Sequence, residues 1–113
     1  MKVCILGLGY IGLPTAAMFA THGVQVLGVD INDQIINTLS SGKIHIYEPG
    51  LQELVRQALI TGNLEVSRQP GFADAFLIAV PTPFYEDKTA DMRAVSSAAE
   101  AVVPYLKPGN LVV

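Results

Sequence analysis

The stretch Gly7-Leu8-Gly9-Tyr10-Ile11-Gly12 constrains this chain more than any other feature. It stands between a short apolar run, Lys2–Leu6, and a segment over 13–22 that carries Ala, Met and Phe at helical spacing. An unbroken apolar run of that length suits a strand of a parallel sheet, which is covered on both faces. Gly23 is a good terminator for the helical segment. A second strand-like run over 24–29 ends at Asp30. Strand, glycine turn, helix and strand in that order form a βαβ unit. Within it Gly7 permits the tight turn out of the strand. Gly9 lacks the Cβ that would hold a pyrophosphate away, and Gly12 lets the helix pack closely on the strand. The N–H groups around Tyr10 and Ile11 would face the anion with the positive end of the helix dipole behind them.

Asp30 follows Gly12 by 18 positions and Gly7 by 23. At that spacing an acid accepts hydrogen bonds from the adenosine ribose hydroxyls of a dinucleotide. The same carboxylate repels a 2′-phosphate, and no Arg follows closely, so NAD is expected over NADP. Taken alone, Asp30 could simply open the turn before Asn32; strand, glycines and acid together point to the dinucleotide. Ile31 is read either against the adenine or as a core residue. A second candidate site is Val80-Pro81-Thr82-Pro83, at the carboxyl end of an apolar strand over 75–80. Ligands of open α/β sheets bind beyond those ends. The prolines stiffen the loop and Thr82 offers a hydroxyl to ribose or phosphate; the alternative is a rigid turn with no ligand contact.

The rest of the chain continues the alternation. Asn32 is placed to cap a helix over 33–41 with Ile35, Ile36 and Leu39 on one face. A loop over 43–50 precedes an amphipathic helix marked by Leu51, Leu54, Val55, Ala58 and Leu59. Leu64–Ser67 reads as a short strand, and 81–90 is too rich in Pro and charge for regular structure. Asp91 is expected to cap a last helix whose apolar face is Met92, Val95, Ala99, Val102, Val103 and Leu106, with Pro104 disturbing its final turn. Residues 110–113 read as the start of another buried strand. The expected fold is α/β, a doubly wound parallel sheet of Rossmann type over 1–113. A chain stopping on a buried strand reads as the N-terminal fragment of something longer.

Composition narrows the function. Half of the 113 residues are hydrophobic, enough for one core. The net charge is −3 with no basic stripe, which argues against nucleic acid as a partner. No run approaches the roughly 18 apolar residues of a membrane span. The glycines interrupting the first apolar run, with no cleavage site after it, speak against a signal peptide, so a cytoplasmic location is expected. The lone Cys4 excludes an internal disulfide and is expected in the core. His22 suits a helix end, and His45 lies in a loop with no partner at informative spacing. Glu86, Asp87, Lys88 and Asp91 read as a solvated loop plus a cap. No metal ligand set and no catalytic residue is assigned.

Four separated segments, GLGYIGLPTAAMFA, VLGVDIN, EPGLQELV and IAVPTPF followed by ADM, together resemble the UDP-glucose/GDP-mannose dehydrogenase family. The VPTPF and HIYEPGL segments look most similar to its UDP-N-acetyl-D-mannosamine dehydrogenase branch. The resemblance implies an NAD-dependent, four-electron oxidation of a sugar C6 alcohol to a carboxylate, through a cysteine thiohemiacetal and then a thioester. It assigns Gly7, Gly9, Tyr10, Ile11 and Gly12 to the pyrophosphate, Asp30 to the adenosine ribose, and Thr82 to the nicotinamide half. It implies a UDP-linked amino sugar as substrate and a homodimer formed through regions outside this fragment. In that family the catalytic cysteine and its lysine and asparagine partners lie downstream, so the fragment alone is predicted inactive and Cys4 is not the nucleophile. Ile35 stands where related UDP-glucose enzymes often carry a basic residue. UDP-N-acetylglucosamine or UDP-glucose are the alternative substrates. Two other readings are a different NAD-dependent dehydrogenase, which should lack the EPGL and VPTP motifs, and a non-catalytic NAD-sensing module.

Overall fold

The computed structural model describes residues 1–80 and 92–113. Strand β1 (Lys2–Leu6) runs into the glycine turn and helix α1 (Gly12–Thr21), which leads to β2 (Gln25–Val29). Helices α2 (Asp33–Ser40) and α3 (Leu51–Ile60) follow, then β3 (Leu64–Ser67) and β4 (Ala75–Ile78). Helix α4 (Arg93–Val102) continues into a 3-10 turn, Val103–Tyr105, and the chain returns in β5 (Leu111–Val112). All five strands are parallel, in the order β3-β2-β1-β4-β5. This is the doubly wound sheet expected from the alternation of strands and helices.

Alternation along β1 divides the core into two layers. Val3 and Ile5 point to one face and pack with Leu13, Ala16, Ala17 and Ala20 of α1, Leu39 of α2 and Val55 of α3. Cys4 and Leu6 point to the other, toward Phe76 of β4 and toward Ala98 and Val102 of α4. From Val3 to Leu6 the strand is apolar at every position and is thereby buried on both sides, as its hydrophobic run requires. The alanines of α1 are fully buried and let that helix lie close to the sheet.

Local signals set the helix ends. The Asn32 side chain accepts from the N–H groups of Gln34 and Ile35 at 2.9 and 3.3 Å, the expected N-cap of α2. Pro104 sits in the 3-10 turn that closes α4, since it cannot supply the donor an α-turn needs.

Three expectations change. Met92, not Asp91, holds the N-cap position of α4 and makes no side-chain cap bond, while Asp91 lies outside the described residues. The buried face of α4 is Ala98 and Val102, four apart, and Met92 and Val103 are exposed. The sheet surface at β4 selects the face, and Val103 already belongs to the 3-10 turn. Finally, the last strand is exposed rather than buried, with Leu111 59% and Val113 67% accessible. β5 pairs with β4 on one side only and is an edge strand among the described residues.

Candidate functional site

The carboxyl ends of the central strands open into a cavity of about 830 Å³. It lies where strand order reverses, with β2 on one side of β1 and β4 on the other. At such a point two successive crossovers leave the sheet in opposite directions, so a crevice forms without special side chains. The glycine turn, Asp30, Ile31, His45, Arg68 and Val80 all line it.

Backbone contacts fix the glycine turn to the strand ends. The Gly7 N–H donates to the Val29 carbonyl at 2.7 Å, and the Leu13 N–H donates to the Gly9 carbonyl at 3.1 Å. Gly7 has φ +98°, and a Cβ there would stand 2.6 Å from the Ala79 carbonyl oxygen. No L side chain fits either restriction. Gly12 opens α1, and a Cβ on it would overlap the Gly7 carbonyl oxygen, so its close approach is to the turn itself as well as to the sheet. A Cβ on Gly9 would meet nothing within 4 Å. Gly7 thus serves the tight turn out of β1 and Gly12 the close packing of α1, while the Gly9 position faces open space.

The amino end of α1 is open. Ile11 occupies the N-cap position with no side-chain cap bond, and the first turn carries no acid. Among the described residues no hydrogen bond uses the N–H of Gly9, Tyr10 or Ile11. Unpaired donors and an uncompensated dipole end make this a favourable place for a phosphate. The Tyr10 and Ile11 side chains are exposed at its rim.

Asp30 does more than the sequence indicated. One carboxylate oxygen accepts from the Leu8 N–H at 3.0 Å and the other from the Asn32 N–H at 2.9 Å. The first bond ties the glycine turn to the end of β2, and the second forms the turn into α2. The turn-opening reading of this residue is therefore realised, and the same carboxylate braces the glycine turn. An ionised carboxylate accepts about four hydrogen bonds, so capacity remains for ribose hydroxyls. Ile31 is 85% exposed, which removes the core reading and leaves its apolar side chain free beside the cavity.

Arg68 lies too far along the chain from Asp30 for the spacing after that acid to signal it. The N–H of Asp30 donates to the Ser67 carbonyl at 3.1 Å, which brings the end of β3 alongside. Arg68 then lines the cavity, its Nε 2.8 Å from an oxygen of Asp33. The available signal was its position immediately after a strand, where side chains of an α/β sheet meet ligands. His45 likewise has no partner at informative spacing in the sequence, and its contact is long-range. Its Nε2 lies 2.6 Å from the Leu8 carbonyl oxygen, 37 residues away.

Val80 lines the cavity and packs against the layer around Phe76, whereas Pro81 and Thr82 lie outside the described residues. His22 closes α1, with Nδ1 2.8 Å from the Met18 carbonyl oxygen, as expected of a helix end. Cys4 is fully buried on the far side of β1. Desolvation pushes its thiol above the ordinary value of 9.0, outweighing a backbone hydrogen bond at Gly71 and the charge of Lys2. Among the described residues no three His, Cys, Asp or Glu side chains gather as metal ligands, and no helix is long and apolar enough to cross a membrane.

Known proteins share this arrangement. Residues 1–113 match the family described as "UDP-glucose/GDP-mannose dehydrogenase family, NAD binding domain". The UDP-N-acetyl-D-mannosamine dehydrogenase of Escherichia coli (strain K12) is 52% identical over 111 residues, covering 98% of this chain and 26% of the relative. The NDP-N-acetyl-D-galactosaminuronic acid dehydrogenase of Ralstonia nicotianae is 50% identical, covering 98% of this chain and 26% of the relative. The solved UDP-N-acetyl-mannosamine dehydrogenase of Staphylococcus aureus superposes with a TM-score of 0.97 at 51% identity, over 99% of this chain and 28% of that one. This chain spans about a quarter of the length of the curated relatives it matches. With the glycine turn, the acid at the end of β2 and the open helix end all in place, the chain belongs to the UDP-glucose/GDP-mannose dehydrogenase family and corresponds to its NAD-binding domain.

Proposed function

We propose that this chain holds the cofactor of a nucleotide-sugar 6-dehydrogenase that oxidises UDP-N-acetyl-D-mannosamine to the uronic acid with two NAD. The observation that carries the cofactor half is that one cavity is lined both by the Asp30 carboxylate and by Gly9 and Tyr10, whose N–H groups have no partner among the described residues. Gly7, Gly9, Tyr10, Ile11 and Gly12 receive the pyrophosphate, Asp30 the adenosine ribose, and Ile31 one face of the adenine. Val80, Pro81 and Thr82 lie toward the nicotinamide half, a reading that for Pro81 and Thr82 rests on the resemblance. Bound NAD supplies hydride acceptance, and this chain supplies binding and orientation. The Asp30 carboxylate opposes a 2′-phosphate, which favours NAD over NADP.

The sugar half rests on relatives of about 50% identity named for UDP-N-acetyl-D-mannosamine. A relative named for an N-acetyl-D-galactosaminuronic acid at the same identity favours a second reading, another N-acetylated hexosamine. The catalytic residues, the sugar site and the contacts of a homodimer are assigned to regions outside this chain, and the whole to the cytoplasm. The test is NADH formation by the full-length protein with UDP-N-acetylmannosamine, UDP-N-acetylglucosamine, UDP-glucose and GDP-mannose, each with NAD and NADP. Fast turnover of the first with NAD is expected. Preference for another sugar overturns the substrate, and NAD binding without turnover of any of the four favours a sensor.

A further inference from the structure

We infer that His45 is a positioning residue that aims the Gly9 N–H at the cofactor pyrophosphate, by fastening the loop between α2 and α3 to the Leu8 carbonyl. The inference rests on the dinucleotide reading of the cavity. His45 Nε2 lies 2.6 Å from the Leu8 carbonyl oxygen. A carbonyl only accepts, so Nε2 carries the proton and donates. The other ring nitrogen, Nδ1, is buried with no hydrogen-bond partner among the described residues. Burying a ring with one nitrogen unmatched is unfavourable, and an apolar side chain would fill the same space without that cost. The retained contact is the donor to Leu8.

Leu8 is held in three ways. Its N–H donates to Asp30 at 3.0 Å. Its side chain is fully buried and occupies the space left by Gly28, where a Cβ would come within 3.0 Å of the Leu8 side chain. Its carbonyl is held by His45. The Leu8–Gly9 peptide is trans, so the Leu8 C=O and the Gly9 N–H lie in one plane and point in opposite directions. Fixing the oxygen therefore fixes the direction of the Gly9 N–H, a group with no partner among the described residues. The loop can bear this load because Ile46 beside the imidazole is buried in the core and Ile44 packs against it.

The experiment uses the full-length protein with His45 replaced by Ala, Gln and Asn. A Gln side chain can place an amide nitrogen near the position of Nε2, whereas the shorter Asn reaches only the Nδ1 position. NAD affinity is read by isothermal titration calorimetry and, separately, kcat and the KM for NAD are measured. H45A is expected to weaken NAD binding about tenfold, the effect of one ordinary hydrogen bond. KM for NAD should rise in step, with kcat within about twofold. H45Q should recover to within about threefold of the wild type, and H45N should remain as weak as Ala. NAD binding by H45A within twofold of wild type overturns the inference. Should H45A fail to fold, equal affinity of H45Q and H45N overturns it instead. A wild-type protein that does not bind NAD refutes the dinucleotide reading itself, and this is measured first.

Discussion

Replacing Asp30 by Asn separates the two tasks of that carboxylate. In the native fold one oxygen accepts from the part-buried Leu8 N–H at 3.0 Å and the other from the exposed Asn32 N–H at 2.9 Å. The amide has a single acceptor oxygen. Its favourable orientation keeps that oxygen on Leu8, where water has poor access, and turns the NH₂ toward Asn32, where solvent can intervene. The expected loss is one solvent-accessible bond to a charged acceptor, about 1.5 kcal/mol, at the low end of the range for such bonds. Asp30→Ala loses both and leaves the Leu8 N–H without its partner, for about 3 kcal/mol. At about 4–8 °C per kcal/mol for a small domain, the Tm of the ligand-free 113-residue chain should fall by roughly 6–12 °C for Asn, and about twice that for Ala. Circular dichroism melts of the three proteins, with NAD titrations at a temperature where all are folded, provide the readout. The two effects should coexist, with lower stability and weaker NAD binding in both variants. Melting temperatures within about 2 °C of wild type, alongside lost NAD affinity, would refute the argument that Asp30 also braces the glycine turn.

Two other perturbations distinguish packing from ligand approach and test the buried thiol. Gly9→Ala directs a methyl group into open space, so it should leave the melting temperature within about 2 °C of wild type while abolishing detectable NAD binding. Gly12→Ala drives a methyl group against the Gly7 carbonyl oxygen and should cost at least the roughly 1–3 kcal/mol of an overpacked site. Equal stability of these two variants would contradict the division of labour among the glycines. For Cys4 the folded thiol is raised above its ordinary 9.0 by burial. Its stabilising contribution is therefore complete below that value and is lost as pH rises through the folded value, because the unfolded thiol ionises first. Denaturant unfolding between pH 7 and 10 should show a steeper loss for wild type than for Cys4→Ala; parallel pH profiles would remove the assignment.

Much of the fold was determined by features that act over a few residues. The unbroken apolar run of β1, the Asn32 cap, the spacing of Leu51, Val55 and Ala58 in α3, and the glycines around Leu8 each encode their local structure, because periodicity and capping reach only one turn or one pleat. With the acid after the second strand, these features also indicated the cofactor. Tertiary structure decided what depends on partners distant in sequence. The order β3-β2-β1-β4-β5 set Val80 and Arg68 around one cavity, although they lie on separate strand ends. The packing surface at β4 chose Ala98 over Ala99 on α4, and the sheet edge left Leu111 exposed despite its hydrophobic run. The bonds from Asp30 and His45 to Leu8 span 22 and 37 residues. No pattern in either segment announces them, because they exist only once the crossovers have folded both segments onto the same strand end.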